Sequence, residues 1–248
     1  MADPATPDPT APATGGEWAV LRQVVIATND HAADVTAVRA AFGLGSGFGD
    51  PELKELALLD ATMPVSDKRY LEIIGPENDS AAVTKWLNKI GGRGGYVLSV
   101  QHPDPDAVRA RALARGVRVP IDTTALGRVV IQLHPQDVGL LLEVDGIADR
   151  SQWFWDDIDP GPEPGALIDA IVGVEVPVAE PAATRALWLD LLGLGEQRSP
   201  DAIDLGGIQV RFVPGGPSAD WTVLLRRAGD GGDRAVEPAL PGITFRLV

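Results

Sequence analysis

The sequence predicts an α+β fold built from repeated strand–helix–strand units, and three observations carry that prediction. First, the phrases QVVIATNDHAADVTAVRAAFGLG (23–45), YVLSVQHPDPDAVRARALARGVRV (96–119) and GVEVPVAEPAATRALWLDLLGLG (173–195) share one layout. An apolar run meets a polar turn, and an amphipathic helix follows and stops at glycine. Second, each helix is followed by further strand-like runs: ELALLDATMPV and RYLEIIG, then RVVIQLH and GLLLEVDG, then DAIDLGG and IQVRFVPG. Third, Asp30, Asp104 and Glu180 stand where the positive helix N-terminus favours a carboxylate. Gly43, Gly116 and Gly193 stand where a left-handed stop is needed.

Taken in order, residues 1–16 (MADPATPDPTAPATGG) read as a disordered Pro/Ala/Thr tail with no basic or apolar region of a secretory signal. Residues 17–92 form the first unit. Within it GLGSGFGD (43–50) lacks the lysine and spacing of a phosphate loop and reads as a flexible rim loop. SAAVTKWLNKIGGRGG reads as a helix followed by a glycine-rich link. Residues 93–150 form the second unit, with HPQDVG (134–139) as a turn between strands: Pro135 holds His134 extended, and Asp137 and Gly139 supply turn chemistry. Residues 151–165 are a linker whose Trp153, Phe154 and Trp155 pin it to the core. Residues 166–248 form a degenerate third unit. Its last part, from Asp220, gives two more strands around an acidic glycine loop, completing that unit or beginning a fragmentary fourth.

Composition narrows the function classes. The chain has 248 residues, 45% of them hydrophobic, and a net charge of -14. So acidic a chain, with no basic stripe, is a poor partner for nucleic acid. No apolar run is long enough to span a membrane. With no cysteine, disulfides, zinc–cysteine sites and thiol nucleophiles are excluded, and a cytoplasmic protein is expected. Only three histidines occur. His31 opens a helix and is expected to be solvated, His102 to lie in a loop, and His134 at a strand end.

The phrases QVVIATNDHAADVTAVRAAFGLG, RYLEIIGP and LHPQDVGLLLEV resemble the βαβββ modules of the vicinal oxygen chelate superfamily, which includes glyoxalase I, methylmalonyl-CoA epimerase and antibiotic-resistance proteins. The last phrase is similar to methylmalonyl-CoA epimerase wording. The resemblance implies two modules paired into an open curved-sheet cleft. It implies metal ligands on the first and last strands of each module: Gln23, Glu72 and Glu143, with Tyr96 where a histidine is usual. On that pattern a divalent ion (Ni, Co, Mn, Zn or Mg) is expected, or none if Tyr96 marks a lost site. Extradiol dioxygenase chemistry is disfavoured, because no histidine stands at a first-strand position.

The residues also speak for themselves. Alternation puts Tyr70, Glu72 and Ile74 on one strand face, and Leu141, Glu143 and Asp145 on another. A carboxylate buried on such a face binds a cation, is hydrogen-bonded, or carries a raised pKa; on a solvated face it simply points to water. Glu72 and Glu143 are the candidate catalytic residues, and Tyr96, His134 and Arg93 the candidate substrate contacts. The expected function is a glyoxalase-like protein binding a small carbonyl or carboxylate compound, as a metal-assisted isomerase, epimerase or lyase. The alternative is a metal-free binding or resistance protein. A small-molecule partner and a monomer or homodimer are expected. Gly173 and Arg211 replace the ligand types in the third unit, which suggests a structural partner or lid.

Overall fold

The computed structural model describes residues 17–156, 163–215, 219–229, 240 and 242–248. The expected tail, part of the linker and the acidic glycine loop lie outside these residues. The fold is α+β, with one sheet of seven strands and one of five.

The first sheet runs in the order β2-β3-β1-β4-β7-β6-β5. Its strands are β1 (Val20–Thr28), β2 (Leu58–Ser66), β3 (Arg69–Pro76), β4 (Arg93–His102), β5 (Ile121–Ala125), β6 (Arg128–Leu133) and β7 (Leu141–Gly146). β1 lies parallel to β3 and antiparallel to β4, and β4 lies parallel to β7. The second unit is a complete βαβββ module, β4–α4–β5–β6–β7, with α4 at Pro105–Ala114. In the first unit a single bridge joins Phe48, after the helix α1 (His31–Phe42), to Thr62. The run ELALLDATMPV, expected as strand from Glu55, becomes strand only at Leu58; a short helix, α2 (Pro51–Glu55), precedes it, and its N-cap Asp50 accepts from the Glu52 N–H.

The second sheet, β12-β11-β8-β10-β9, repeats part of the first. β8 (Ile168–Val178), α6 (Pro181–Leu191), β9 (Ala202–Asp204) and β10 (Gln209–Pro214) follow the plan of β1, α1, β2 and β3. β11 (Trp221–Arg227) then lies antiparallel to β8, and β12 (Ile243–Leu247) parallel to β11, as β4 and β7 do in the first sheet. β11 and β12 thus pair as the first and last strands of a further module do.

Both sheets turn their helix-bearing faces inward onto one shared core. Val24, Ile26, Leu71, Leu98 and Val144 of the first sheet join Val174, Val176, Val210 and Val223 of the second, with Phe42, Trp188 and Phe245 between them. Phe42 meets Phe245 edge to face at 5.3 Å, and Trp188 Nε1 donates to the Val138 carbonyl at 2.9 Å. Backbone bonds tie the seam, from Leu21 N to Leu205 O at 3.0 Å and from Gly95 N to Ala219 O at 2.8 Å. GGRGG is therefore not a link. Arg93 opens β4, and a Cβ on Gly95 would lie 1.9 Å from the Trp221 ring. These glycines let β11 approach closely.

The helices stop as expected: Gly43 is left-handed at φ 66° and its N–H reaches the Arg39 carbonyl, while Gly116 and Gly193 are left-handed at 70° and 62°. No helix among the described residues is long and apolar enough to cross a membrane.

Candidate functional site

The opposite face of the first sheet carries the candidate site. Strand pairing sets its composition. Gln23 lies opposite Tyr70 and Ser99; Val25 lies opposite Glu72 and Val97; Ser99 lies opposite Glu143. On the outer strands Thr62 faces Glu72, and Gln132 faces Glu143. Directly paired residues share a face. Gln23, Asp60, Thr62, Glu72, Ser99, Gln132, Glu143 and Asp145 therefore form one polar band across the sheet.

Apolar material closes both ends of the band. At one end α3 (Ala82–Ile90) and α2 pack Val83, Leu87 and Leu53 against Val25, Ala27, Ile74 and Val97. At the other, Trp153, Phe154 and Trp155 of the linker pack with Phe48, Tyr70 and Ile147. The linker aromatics thus pin the chain, as their clustering suggests, and Arg22 holds them from below. Its guanidinium stacks 5.5 Å from the Trp153 ring and donates to Gln101 Oε1 and to the Arg150 carbonyl. Phe48 belongs to this aromatic group, so GLGSGFGD is anchored at its centre rather than free along its length.

Within the band, hydrogen bonds hold each carboxyl. Gln23 Nε2 donates to Glu72 Oε2 at 2.5 Å, and Gln132 Nε2 donates to Glu143 Oε2 at 2.7 Å. Ser99 Oγ donates to Asp145 Oδ2 at 2.6 Å. Asp50 N donates to Asp60 Oδ2 at 2.7 Å. Glu72 and Asp145 are buried, at 3% and 1% exposure, whereas Glu143 is partly exposed.

Burial raises the pKa of these groups, because it disfavours their charged forms. Loss of water, then the charges of Asp60, Glu143 and Asp50, push the Glu72 carboxyl well above the usual range against the opposing Gln23 bond. Asp145 is pushed well up by burial and by the Glu143 charge. Glu143 is raised mainly by burial, with the bond from Gln132 working against the rise. Burial lifts Asp60 to about 6.

The sequence-predicted residues divide. Gln23, Glu72 and Glu143 share the band. Tyr96 reaches the same face, but for a reason alternation hides: a bulge between Val25 and Ile26 shifts the β1–β4 register, and Tyr96 turns onto Trp86 at 4.8 Å. It is not the first-strand equivalent of Gln23. Gln23 precedes the helix cap Asp30 by the same interval that separates Val97 from Asp104, so the equivalent position is Val97. Arg93 is engaged elsewhere, with Nη2 on Asp34 Oδ1 at 2.8 Å and Asp30 at 3.8 Å. His134 caps the single-turn helix α5 (Pro135–Val138), its Nδ1 accepting from Gln136 N at 3.2 Å.

The other two histidines depart from their expected settings. His31 is half-buried and bonds the Ile73 carbonyl at 3.1 Å. His102 ends β4 fully buried, with Nε2 3.0 Å from the Leu192 carbonyl and Nδ1 accepting from Asp104 N. Sequence reasoning passed over Asp60, Thr62, Ser99 and Gln132. The signal was present, since each is a polar residue in an alternating apolar run.

A divalent ion at Gln23, Glu72 and Glu143 is what the resemblance implies. The residues do not fit one. Val97 offers no ligand at the fourth position, and the Gln23 amide is turned to donate to Glu72. Glu72 stands on β3 and Glu143 on β7, with β1 and β4 between them. Among the described residues no three histidine, aspartate or glutamate side chains come close enough to hold an ion.

In the second sheet the same register positions are inverted in charge. Arg211 lies opposite Glu175 as Glu72 lies opposite Val25, and Arg246 lies opposite Leu224 as Glu143 lies opposite Ser99. Both arginines reach Glu175, at 3.4 and 3.9 Å, on an open face.

No protein-family model matches the chain, and no curated protein matches it. Among solved structures the chain is similar to a methylmalonyl-CoA epimerase in complex with methylmalonyl-CoA and NH4+. That likeness has 28% identity, covers 53% of this chain and 96% of that one, and has a TM-score of 0.47. A Streptomyces coelicolor methylmalonyl-CoA epimerase variant in complex with 2-nitronate-propionyl-CoA is 29% identical over 52% of this chain and 98% of its own, with a TM-score of 0.46. The Mycobacterium tuberculosis methylmalonyl-CoA epimerase is 23% identical over 53% and 89%, with a TM-score of 0.45.

Proposed function

We propose that the polar-band face of the first sheet binds a small carbonyl compound and moves a proton at the carbon next to the carbonyl, as an isomerase or epimerase. The observation that supports this is the pair Glu72 and Glu143, at equivalent places in two modules but in unequal surroundings. Two carboxyls whose environments separate their pKa values are suited to opposite roles. Glu143, partly exposed and steadied by the Gln132 amide, is the base. Glu72, fully buried among other acids, stays protonated and is the acid.

In the forward step the substrate C–H bond breaks and its proton passes to the Glu143 carboxylate. The electron pair moves into the carbonyl, giving an enolate. Return of a proton from Glu72 to the opposite face of that carbon re-forms the C–H bond with inverted configuration. The Tyr96 and Trp86 rings supply an apolar wall near the reacting carbon. Charge on the enolate oxygen is met by neutral donors, for which Asp145 in its protonated form is placed. No step runs through a metal ion.

The test is proton exchange. Incubated in deuterium oxide with a panel of small ketones, aldehydes and β-dicarbonyl compounds, the protein is expected to wash deuterium into the acidic carbon of at least one. Glu143→Gln is expected to slow that exchange about 10²–10⁴-fold. Exchange no faster than in buffer across the panel, or unaffected by Glu143→Gln and Glu72→Gln, overturns the assignment. The second reading, a metal-free binding protein, is favoured by the glutamine bonds that already engage both glutamates; it expects ligand binding with no exchange.

A further inference from the structure

We propose that Arg22, Arg69 and Arg150 form a binding site for a phosphate group at the seam between the two sheets. The site is separate from the polar band and from the reaction proposed there. Three segments bring the arginines together: β1 supplies Arg22, the first position of β3 supplies Arg69, and the chain after β7 supplies Arg150. Shared acceptors show that they converge. Arg22 Nη1 and Arg69 Nη1 both donate to the Lys68 carbonyl, at 3.3 and 3.1 Å. Arg22 Nη2 donates to the Arg150 carbonyl at 2.7 Å. Arg69 Nη2 donates to the Gly206 carbonyl at 3.2 Å, and Arg150 Nη2 would stand 3.3 Å from a Cβ on that same glycine. Gly206 lies between β9 and β10 at a φ of 72°, so a residue without Cβ both makes the turn and leaves room beside Arg150.

The cluster is uncompensated. The chain has 35 acidic residues to 21 lysines and arginines, so acids to neutralise it were plentiful. Yet the ion pairs among the described residues join other arginines, and none includes Arg22, Arg69 or Arg150. The mutual repulsion is felt within the group. Burial, then the Arg69 charge, lowers Arg22 to about 10, and burial, then the Arg150 charge, lowers Arg69 to about 10. Asp67, exposed at the turn between β2 and β3, offsets part of this without pairing to either. The base of the cluster is built and its top is open. Arg22 is 4% exposed and is fixed by Gln101, two backbone carbonyls and the Trp153 ring. Arg69 is partly exposed and commits only two of its five N–H donors, both to carbonyls. Arg150 is exposed, lies 5.6 Å from the Trp18 ring and donates to none of the described residues. Guanidinium forks with idle N–H groups bind oxyanions through paired N–H···O bonds. A doubly charged phosphate offsets more of three converging charges than a single carboxylate does.

The experiment is calorimetric titration of the full chain with inorganic phosphate, phenyl phosphate and benzoate at constant ionic strength, so that general screening is the same in each. The phosphates are expected to bind saturably and at least tenfold more tightly than benzoate. Arg150→Ala, a change at an exposed residue, is expected to weaken phosphate binding at least tenfold. Arg69→Lys keeps the charge but loses the fork, and is expected to weaken it similarly. Arg226→Ala, at an exposed arginine of the second sheet, is expected to leave it unchanged. Tighter binding of phenyl phosphate than of inorganic phosphate supports the site as a seat for a phosphorylated organic ligand; equal or weaker binding supports it as a seat for the free anion. No saturable binding, benzoate bound as tightly as phosphate, or an equal loss in Arg226→Ala would overturn the proposal. Deuterium exchange without phosphate binding removes this site alone, and phosphate binding without exchange supports it while removing the proposed reaction.

Discussion

Asp60, Glu72, Glu143 and Asp145 share one physical situation: each carboxyl is drawn out of water with acids rather than bases for company. The consequence for stability has a definite sign. Asp60 is lifted from 3.8 to about 6, so its protonated form is favoured by the fold; its contribution is whole below 3.8 and is lost as the pH rises through about 6. Glu72, Glu143 and Asp145 are shifted the same way and extend that loss upward. Asp137 works oppositely, held near 2 by Arg118, so its contribution fails only in strong acid. The midpoint of thermal unfolding is therefore expected to rise as the pH is lowered through about 6 toward 4. Glu72→Gln is expected to flatten that slope, which general repulsion in a chain of net charge -14 would leave almost unchanged. A slope identical in the variant counts against the buried-acid account. At this scale alternation made Glu72 and Glu143 legible. The resemblance set Tyr96 at a position that belongs to Val97, because a bulge adds a residue that no periodicity shows.

Among the elements, helix boundaries were the most legible, because caps and glycine stops are local chemistry. What escaped was long-range. GGRGG has the composition of a link, yet β4 runs through it, since the glycines answer to Trp221 more than a hundred residues away. Likewise ELALLDATMPV reads as one apolar run, but the capped turn at Asp50 and the close of α2 delay β2 to Leu58. The difference between a local and a tertiary glycine can be measured. Gly116 has open space around it and a left-handed φ of 70°, so Gly116→Ala should cost about 1–2 kcal/mol. Gly95→Ala drives a methyl into the Trp221 ring and should cost more, about 3 kcal/mol or above. Urea unfolding of the two variants checks the order, and equal costs would mean that β11 withdraws easily.

At the scale of the whole molecule, the repeated modules are units of topology, while the core belongs to none of them alone. The second sheet repeats part of the strand order of the first, yet it carries Arg211 and Arg246 at the register positions of Glu72 and Glu143. Its remaining task is visible from the other side: its inward face covers Phe42, Leu98 and Val144. Residues 17–150 expressed alone would expose that surface and are expected to collect as aggregate or as a state without fixed side-chain packing. The full chain is expected to unfold in one step, with tryptophan fluorescence and far-ultraviolet circular dichroism giving the same midpoint. Trp188 makes this argument testable by a single change. It is fully buried, packs on Phe212 at 5.1 Å and bonds the Val138 carbonyl across the seam. Trp188→Ala removes both and should cost about 3–5 kcal/mol. If the sheets are one cooperative body, that loss lowers the midpoint seen by hydrogen exchange in β1 and β7 as much as in β8 and β10. Protection lost in the second sheet alone would show two bodies that merely touch.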